Sequence, residues 1–302
     1  MTTGTVAGSS LRGGLGTAMA KPNGFGRVAR AVRRARKDPA RVVIFVALVI
    51  ASFVMLYPFG FMLLTSLHSQ AQYINGKGYS FSSWSGLFSA LPVGRELLNS
   101  TLVAVSAIAI ILVVSSSAGF AFAKLKFRGQ GIVFVAIIGS MMVPLQSIII
   151  PEYVNFAHVH LINSYLGAIL VYAAMGSPFA TFLMTTFYRG LPEELVEAAV
   201  CDGLGYEGTF WRVALPLATP ALATVAVLQF IQIWDDLLIG LLFLQEPTNR
   251  TITVGLGVLA SGRVVAIPEL MAGSLISALP AVLVYLFFQR YLVAGLTLGV
   301  NR

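Results

Sequence analysis

The residues of this chain that could do chemistry are few and unevenly placed. Glu193, Glu194, Glu197, Asp202 and Glu207 put five of only twelve carboxylates into one short stretch, "EELVEAAVCDGLGYEGTFWRVALP", residues 193–216. "GLGYEG" (Gly203, Gly205, Gly208) has the glycine spacing of a dinucleotide loop, but that spacing carries meaning only between a β-strand and a helix, and a helix precedes it here. No phosphate-binding G-x-x-x-x-G-K-[ST] occurs; "GTAMAKP" comes nearest and fails at the second glycine and at the hydroxyl. His158 and His160 could hold a metal between them, yet no carboxylate or thiol cluster joins them, so no metal site is expected. The one cysteine, Cys201, excludes an internal disulfide.

The elements that must carry this loop are apolar. The chain is 57% hydrophobic and 11% charged, against about 25% charged for soluble proteins. Charge-free runs occupy residues 42–67, 97–123, 129–151, 165–187, 213–234 and 270–289, and each reaches the roughly 20 residues that a helix needs to cross the hydrocarbon core. The sequence therefore predicts an all-α, polytopic membrane protein with six transmembrane helices. The first run is too long for the core of a signal peptide and lacks a cleavage site, so it is expected to remain as an anchor.

Lysines and arginines set the orientation. Sixteen of the twenty fall before residue 42, in the turn "KLKFRG", beside the acidic loop at Arg189 and Arg212, or after the last span. The other face holds Lys77, Arg95, Arg250 and Arg263. By the positive-inside rule both termini and the acidic loop are cytoplasmic, and the net charge of +8 is an orientation signal rather than a nucleic-acid footprint. The first 26 residues read as a disordered tail, and Arg27, Arg30, Arg34 and Arg41 recur at a spacing that suits either a basic helix on anionic lipid headgroups or a solvated charge run that only fixes the topology. The expected divisions are a tail over 1–41, a permease domain over 42–295 with its loop at about 190–215, and a short tail over 296–302.

Within the loop, Pro192 and the acidic pair Glu193 and Glu194 are a helix start, and Gly203 and Gly205 a stop at which positive φ costs little. A second short segment leads to Leu215 and Pro216. The pattern is helix, glycine turn, helix: a rigid projection. Glu197-Ala198-Ala199, Asp202-Gly203, Val213 and Leu215-Pro216 stand at the spacing of the EAA loop and resemble that of ABC importer permeases. The flanks "MMVPLQSIIIPEY", "GSPFATFLMTTFYRGLPEEL", "LPLATPALATVAVLQFIQIWDD" and "QRYLVAGLTLG" are similar to the maltose-type, carbohydrate-uptake class. The resemblance runs from about residue 42 to the C-terminus. It departs at Val213, usually isoleucine, at Cys201, Leu204 and Gly205, and at "WDDLL", Trp234 to Leu238.

The resemblance implies a cytoplasmic coupling helix that docks on an ATPase subunit, with Glu197, Ala198, Ala199, Asp202, Gly203, Leu204, Phe210, Leu215 and Pro216 as its residues. Small Ala198 and Ala199 on the helix surface would permit close approach. It further implies a homologous permease, two ATP-binding subunits that carry ATP and Mg, and an extracytoplasmic solute-binding protein, in the bacterial plasma (inner) membrane. The chain itself would bind no cofactor and catalyse nothing.

Asn99, Gln146, Ser147, Gln229, Gln232 and Trp234 are polar or amphipathic positions in the spans and candidates for lining a sugar path, because polyols need hydrogen-bonding side chains and an aromatic platform. Pro58, Pro144 and Pro178 interrupt three spans. Counting about 1.5 Å per residue from Leu215 puts Asp235 and Asp236 at the outer interface, sparing the cost of a midplane charge. An ion-coupled secondary transporter is the rival reading. It would place ionisable residues at the midplane, and the apolar runs have essentially none. An intramembrane enzyme would need a Ser/His pair, an H-E-x-x-H helix or facing aspartates, none of which falls in the runs.

Overall fold

A computed structural model describes residues 39–76, 78–262 and 265–297. The tail and basic helix expected over residues 1–38 lie outside the described residues, as do Lys77, Arg263, Val264 and residues 298–302. The chain divides into two units, one ending at Pro58 and one running from Phe59. Helix α1, Pro39–Ser66, carries the boundary. It starts three residues ahead of the first charge-free run, and it continues through Pro58 without a break.

In the second unit two short helices follow, α2 (Gln70–Asn75) and α3 (Ser82–Ala90). Ser69 opens α2 with a capping box: its hydroxyl accepts from the Gln72 N–H, and the Gln72 side chain accepts from the Ser69 N–H. Three long elements build the bundle: α4 (Val93–Lys124), α7 (Tyr165–Arg189) and α14 (Ile267–Thr297). Between them lie α5 (Gln130–Ser140), α6 (Leu145–His158), α8 (Glu193–Cys201), α9 (Gly205–Thr209), α10 (Leu215–Leu217), α11 (Thr219–Trp234), α12 (Leu238–Phe243) and α13 (Ile252–Ala260). Every described element is helical.

Among the described residues, four helices are long and apolar enough to cross a membrane alone. The other two expected spans are not straight. Residues 129–151 resolve into α5 and α6, bent by 96° at the break that Pro144 ends. Pro144 has extended backbone and no N–H, so the ladder restarts after it. Residues 205–234 bend by 70° at Ala218, between Pro216 and Pro220, each of which removes a ladder donor. Of the three prolines expected to interrupt spans, only Pro144 does so; Pro178, like Pro58, sits inside a continuous helix.

The core is the packing of α4 along α7. Val103, Ala104, Ala107 and Ile111 of α4 meet Ala168, Val171, Ala173, Ala180 and Met184 of α7. Lipid tails offer helices no hydrophobic drive to associate, so close approach through small residues does the work. Gly119 is one point of close approach: a Cβ there would lie 2.7 Å from Met184 Cβ and 2.9 Å from the Thr185 backbone nitrogen. The two helices run parallel, because Asn99 meets Tyr165 at one end while Ser116 meets Tyr188 towards the other. At the Asn99 end α12 packs on α7 and α13 on α4 and α14. The acidic loop belongs to the opposite end.

Candidate functional site

At the loop end α8 is amphipathic over little more than two turns. Val196 and Ala199 are buried, while Glu193, Glu194, Glu197 and Ala198 are exposed. Glu193 and Glu194 occupy the first turn, where the helix dipole favours negative charge. The expectation that Ala198 and Ala199 share the outer surface is corrected here: Ala198 faces out, and Ala199, three positions after Val196, packs inward at 7% exposure. Three residues turn about 300° on a helix, so Val196 and Ala199 fall on one face and Ala198 does not.

The helix ends in a Schellman turn. Gly203 takes φ +85°, its N–H donates to Val200 O at 3.0 Å, and the Leu204 N–H donates to Ala199 O at 3.1 Å. Asp202 beside it is exposed and Leu204 half-buried. The chain passes through α9 and a π-helical turn, Phe210–Ala214, before α10. Phe210 is buried and packs on Phe120 of α4 with ring centroids 5.3 Å apart. Phe120 meets Tyr188 of α7 edge-on at 5.7 Å, and the Tyr188 hydroxyl shares a 2.7 Å hydrogen bond with Ser116. The loop is thus tied to both helices of the core through one aromatic chain. Leu215 is half-buried and Pro216 exposed.

Beside α8, a cleft of about 740 Å³ opens towards the turn 125–129, lined by Phe122, Lys124, Lys126, Arg189, Glu193 and Glu197 among others. Lys124 Nζ donates to Leu191 O at 2.6 Å and so pins the entrance of the loop to the end of α4. Sequence reasoning missed Phe120, Tyr188, Ser116 and Lys124. Their signal was faint, since aromatic and hydroxyl residues near the end of a span read as ordinary packing.

The six path candidates separate. Asn99 is fully engaged by the chain: its Nδ2 donates to Thr248 O and Arg250 O at 3.1 and 2.8 Å, and its Oδ1 accepts from the Tyr165 hydroxyl at 2.8 Å. Trp234 is 3% exposed, stacks on Phe230 and donates its indole N–H to Ser277 O of α14 at 2.9 Å. Gln146 and Ser147 are exposed on the first turn of α6, just beyond the bend. Gln229 is buried and Gln232 exposed, and both line a small cavity with Tyr172 and Asp236. Asp236 is half-buried; its Oδ1 accepts from the Tyr172 hydroxyl at 2.9 Å and from the Ile239 N–H at 2.8 Å, so it organises the start of α12. Asp235 is exposed. Among the described residues no group of three His, Cys, Asp or Glu is arranged to hold a metal ion.

Residues 113–297 match the family model described as binding-protein-dependent transport system inner membrane component. The arabinooligosaccharides transport system permease protein AraQ of Bacillus subtilis is 31% identical over 86% of this chain and 95% of its own length. The diacetylchitobiose uptake system permease protein NgcG of Streptomyces coelicolor is 27% identical over 84% of this chain and 87% of its own. Among solved structures, a chain of a bacterial ABC transporter involved in import of the acidic polysaccharide alginate superposes with a TM-score of 0.72, covering 86% of this chain and 98% of that one at 22% identity. That likeness concerns the fold.

Proposed function

The chain belongs to the binding-protein-dependent transport system inner membrane components, the permeases of ABC importers, and from that membership we propose that it carries a carbohydrate, an oligosaccharide, disaccharide or related polyol, through half of an ATP-driven pathway. It is a multi-pass membrane protein of the inner-membrane component family. The proposed assembly pairs it with a homologous permease, two ATP-binding subunits that hold ATP and Mg, and an extracytoplasmic solute-binding protein. The relatives named for arabinooligosaccharides and diacetylchitobiose support the sugar class. The excess of basic residues on the loop side supports a cytoplasmic loop and cytoplasmic termini.

The observation that carries the coupling reading is the rigid end of α8. A helix with Glu197 and Ala198 outermost is locked by the Schellman turn at Gly203 and bolted to α4 and α7 through Phe210, Phe120 and Tyr188. A push on Ala198 is then delivered to the core helices rather than absorbed by a slack loop. The chain supplies no catalytic group to this step; hydrolysis belongs to the partners.

Proteoliposomes holding the complete importer test the function. Uptake of a radiolabelled oligosaccharide should need ATP inside, need the binding protein outside, and survive a protonophore and a sodium ionophore. Uptake driven by an ion gradient without ATP would defeat the proposal.

A further inference from the structure

Where α6, α7 and α11 come together lies a cavity of about 60 Å³, walled by Leu145, Tyr172, Gly176, Gln229, Gln232 and Asp236 among others. Gln229 is 1% exposed, yet its amide Nε2 has no hydrogen-bond partner among the described residues. An unpaired buried donor is costly, and Gln229 is one of two amide side chains that line the cavity. Gly176 keeps the space clear: a Cβ there would lie 2.5 Å from Gln229 Oε1 and 2.6 Å from Ile111 Cδ1. The Asp236 carboxylate, also in the wall, is held in orientation by the Tyr172 hydroxyl and the Ile239 N–H. None of the described lining residues is Lys, Arg or His.

An unpaired amide donor and a fixed carboxylate acceptor in one cavity match a pair of hydroxyls, one accepting and one donating. They do not match an anion, which would meet a like charge with no cation to offset it. A single water needs about 10–15 Å³ measured as probe-occupied volume, so the cavity takes a hydroxymethyl arm or two ring hydroxyls, with the body of the ring outside. We propose that this cavity is a subsite for the hydroxyl edge of a neutral sugar, and that Asp236 rejects sugars bearing a carboxylate or sulfonate. The subsite rests on the carbohydrate reading above and narrows it to neutral substrates.

Saturation-transfer NMR on the detergent-solubilised complete importer, without the binding protein that would otherwise filter solutes, tests the subsite directly. The probes are maltose, cellobiose and digalacturonate at millimolar concentration. The wild type should transfer saturation to at least one neutral disaccharide and not to digalacturonate. Gln229→Leu should cut the neutral signal at least fivefold, and Asp236→Asn, which keeps an acceptor for Tyr172 and Ile239, should bring up the digalacturonate signal. If Gln229→Leu does not assemble, Gln232→Leu, at the exposed edge of the same wall, should lower the neutral signal about threefold by losing one neutral hydrogen bond. Neutral signals at wild-type strength in the glutamine variant, or digalacturonate binding by the wild type, overturn the subsite. So does the absence of any sugar signal in a complex that still takes up sugar with ATP and binding protein, a result that leaves the carbohydrate reading standing. Failure of ATP-driven uptake for every sugar overturns that reading and the subsite with it.

Discussion

At Gly203 a single backbone angle decides whether α8 can end where it does. With φ at +85° and its N–H given to Val200 O, Gly203→Pro would lose both, since proline fixes φ near about −65° and has no donor. ATP-driven uptake should fall at least tenfold while the membrane helices still insert, read as an unchanged elution volume of the detergent-solubilised chain. Gly203→Ala, strained by about 1–2 kcal/mol in the left-handed region, should lie between. The neighbouring positions differ in kind. Glu197 is exposed, and an exposed ion pair is worth about 0–1 kcal/mol, so Glu197→Ala should cost uptake less than about fivefold. Ala198→Trp puts an indole on the outermost point of the helix, and co-purification of the ATPase with it should drop sharply. Wild-type coupling in both Gly203→Pro and Ala198→Trp would remove α8 from the drive train.

Between α4 and α7 the determining feature is how close two helices can come. Any side chain at Gly119 would run into Met184 Cβ and the Thr185 backbone, and backbone cannot yield as a flexible side chain can. Gly119→Leu should therefore destabilise by about 1–3 kcal/mol as an overpacked core does, seen as a lower melting temperature in detergent. Ser116→Ala, which strips the Tyr188 hydroxyl of its partner, should cost about 1 kcal/mol in the same assay and should loosen the aromatic chain to Phe210. At the start of α12, Asp236→Leu gives up two hydrogen bonds and should cost about 1–3 kcal/mol for the Tyr172 hydroxyl left behind, whereas Asp236→Asn should fold as the wild type does. An Asn variant that fails to insert would show that the carboxylate's charge, rather than its oxygen, holds this element.

For the whole molecule, membrane sidedness is the property on which the rest depends. The charge asymmetry predicts that the α8 loop and the short helices α2 and α3 leave the bundle at opposite ends. After Cys201→Ser, a cysteine at the exposed Ala198 or Tyr206 should react with an impermeant maleimide only in permeabilised cells. A cysteine at Ile74 or Phe81, both more than 70% exposed, should react in intact cells. Labelling of residues 193–212 from outside would invert the topology and detach the loop from any cytoplasmic ATPase.

Features that depend on local chemistry or on length were legible in the amino-acid order. Charge-free runs of the right length announced membrane helices because hydrocarbon tolerates little else. The end of α8 was readable because a Schellman turn is a contract among neighbours, and Gly203 is the one residue in it that positive φ selects. The spacing of Glu197 to Pro216 carried the family. The rest depends on partners far away in the chain and shows only once the helices are packed. Proline alone does not say that Pro144 and Ala218 mark breaks while Pro58 and Pro178 do not. Whether Asn99, Trp234 and Gln229 are spoken for was equally hidden: Thr248 and Arg250 engage the first and Ser277 the second, and among the described residues the third has no partner for its amide nitrogen. Phe210 became an anchor only because α4 and α7 run side by side and place Phe120 and Tyr188 within reach. Hydropathy measures how much a residue avoids water. It carries no term for which other residue will meet it, and in a helical bundle the function lies in those meetings.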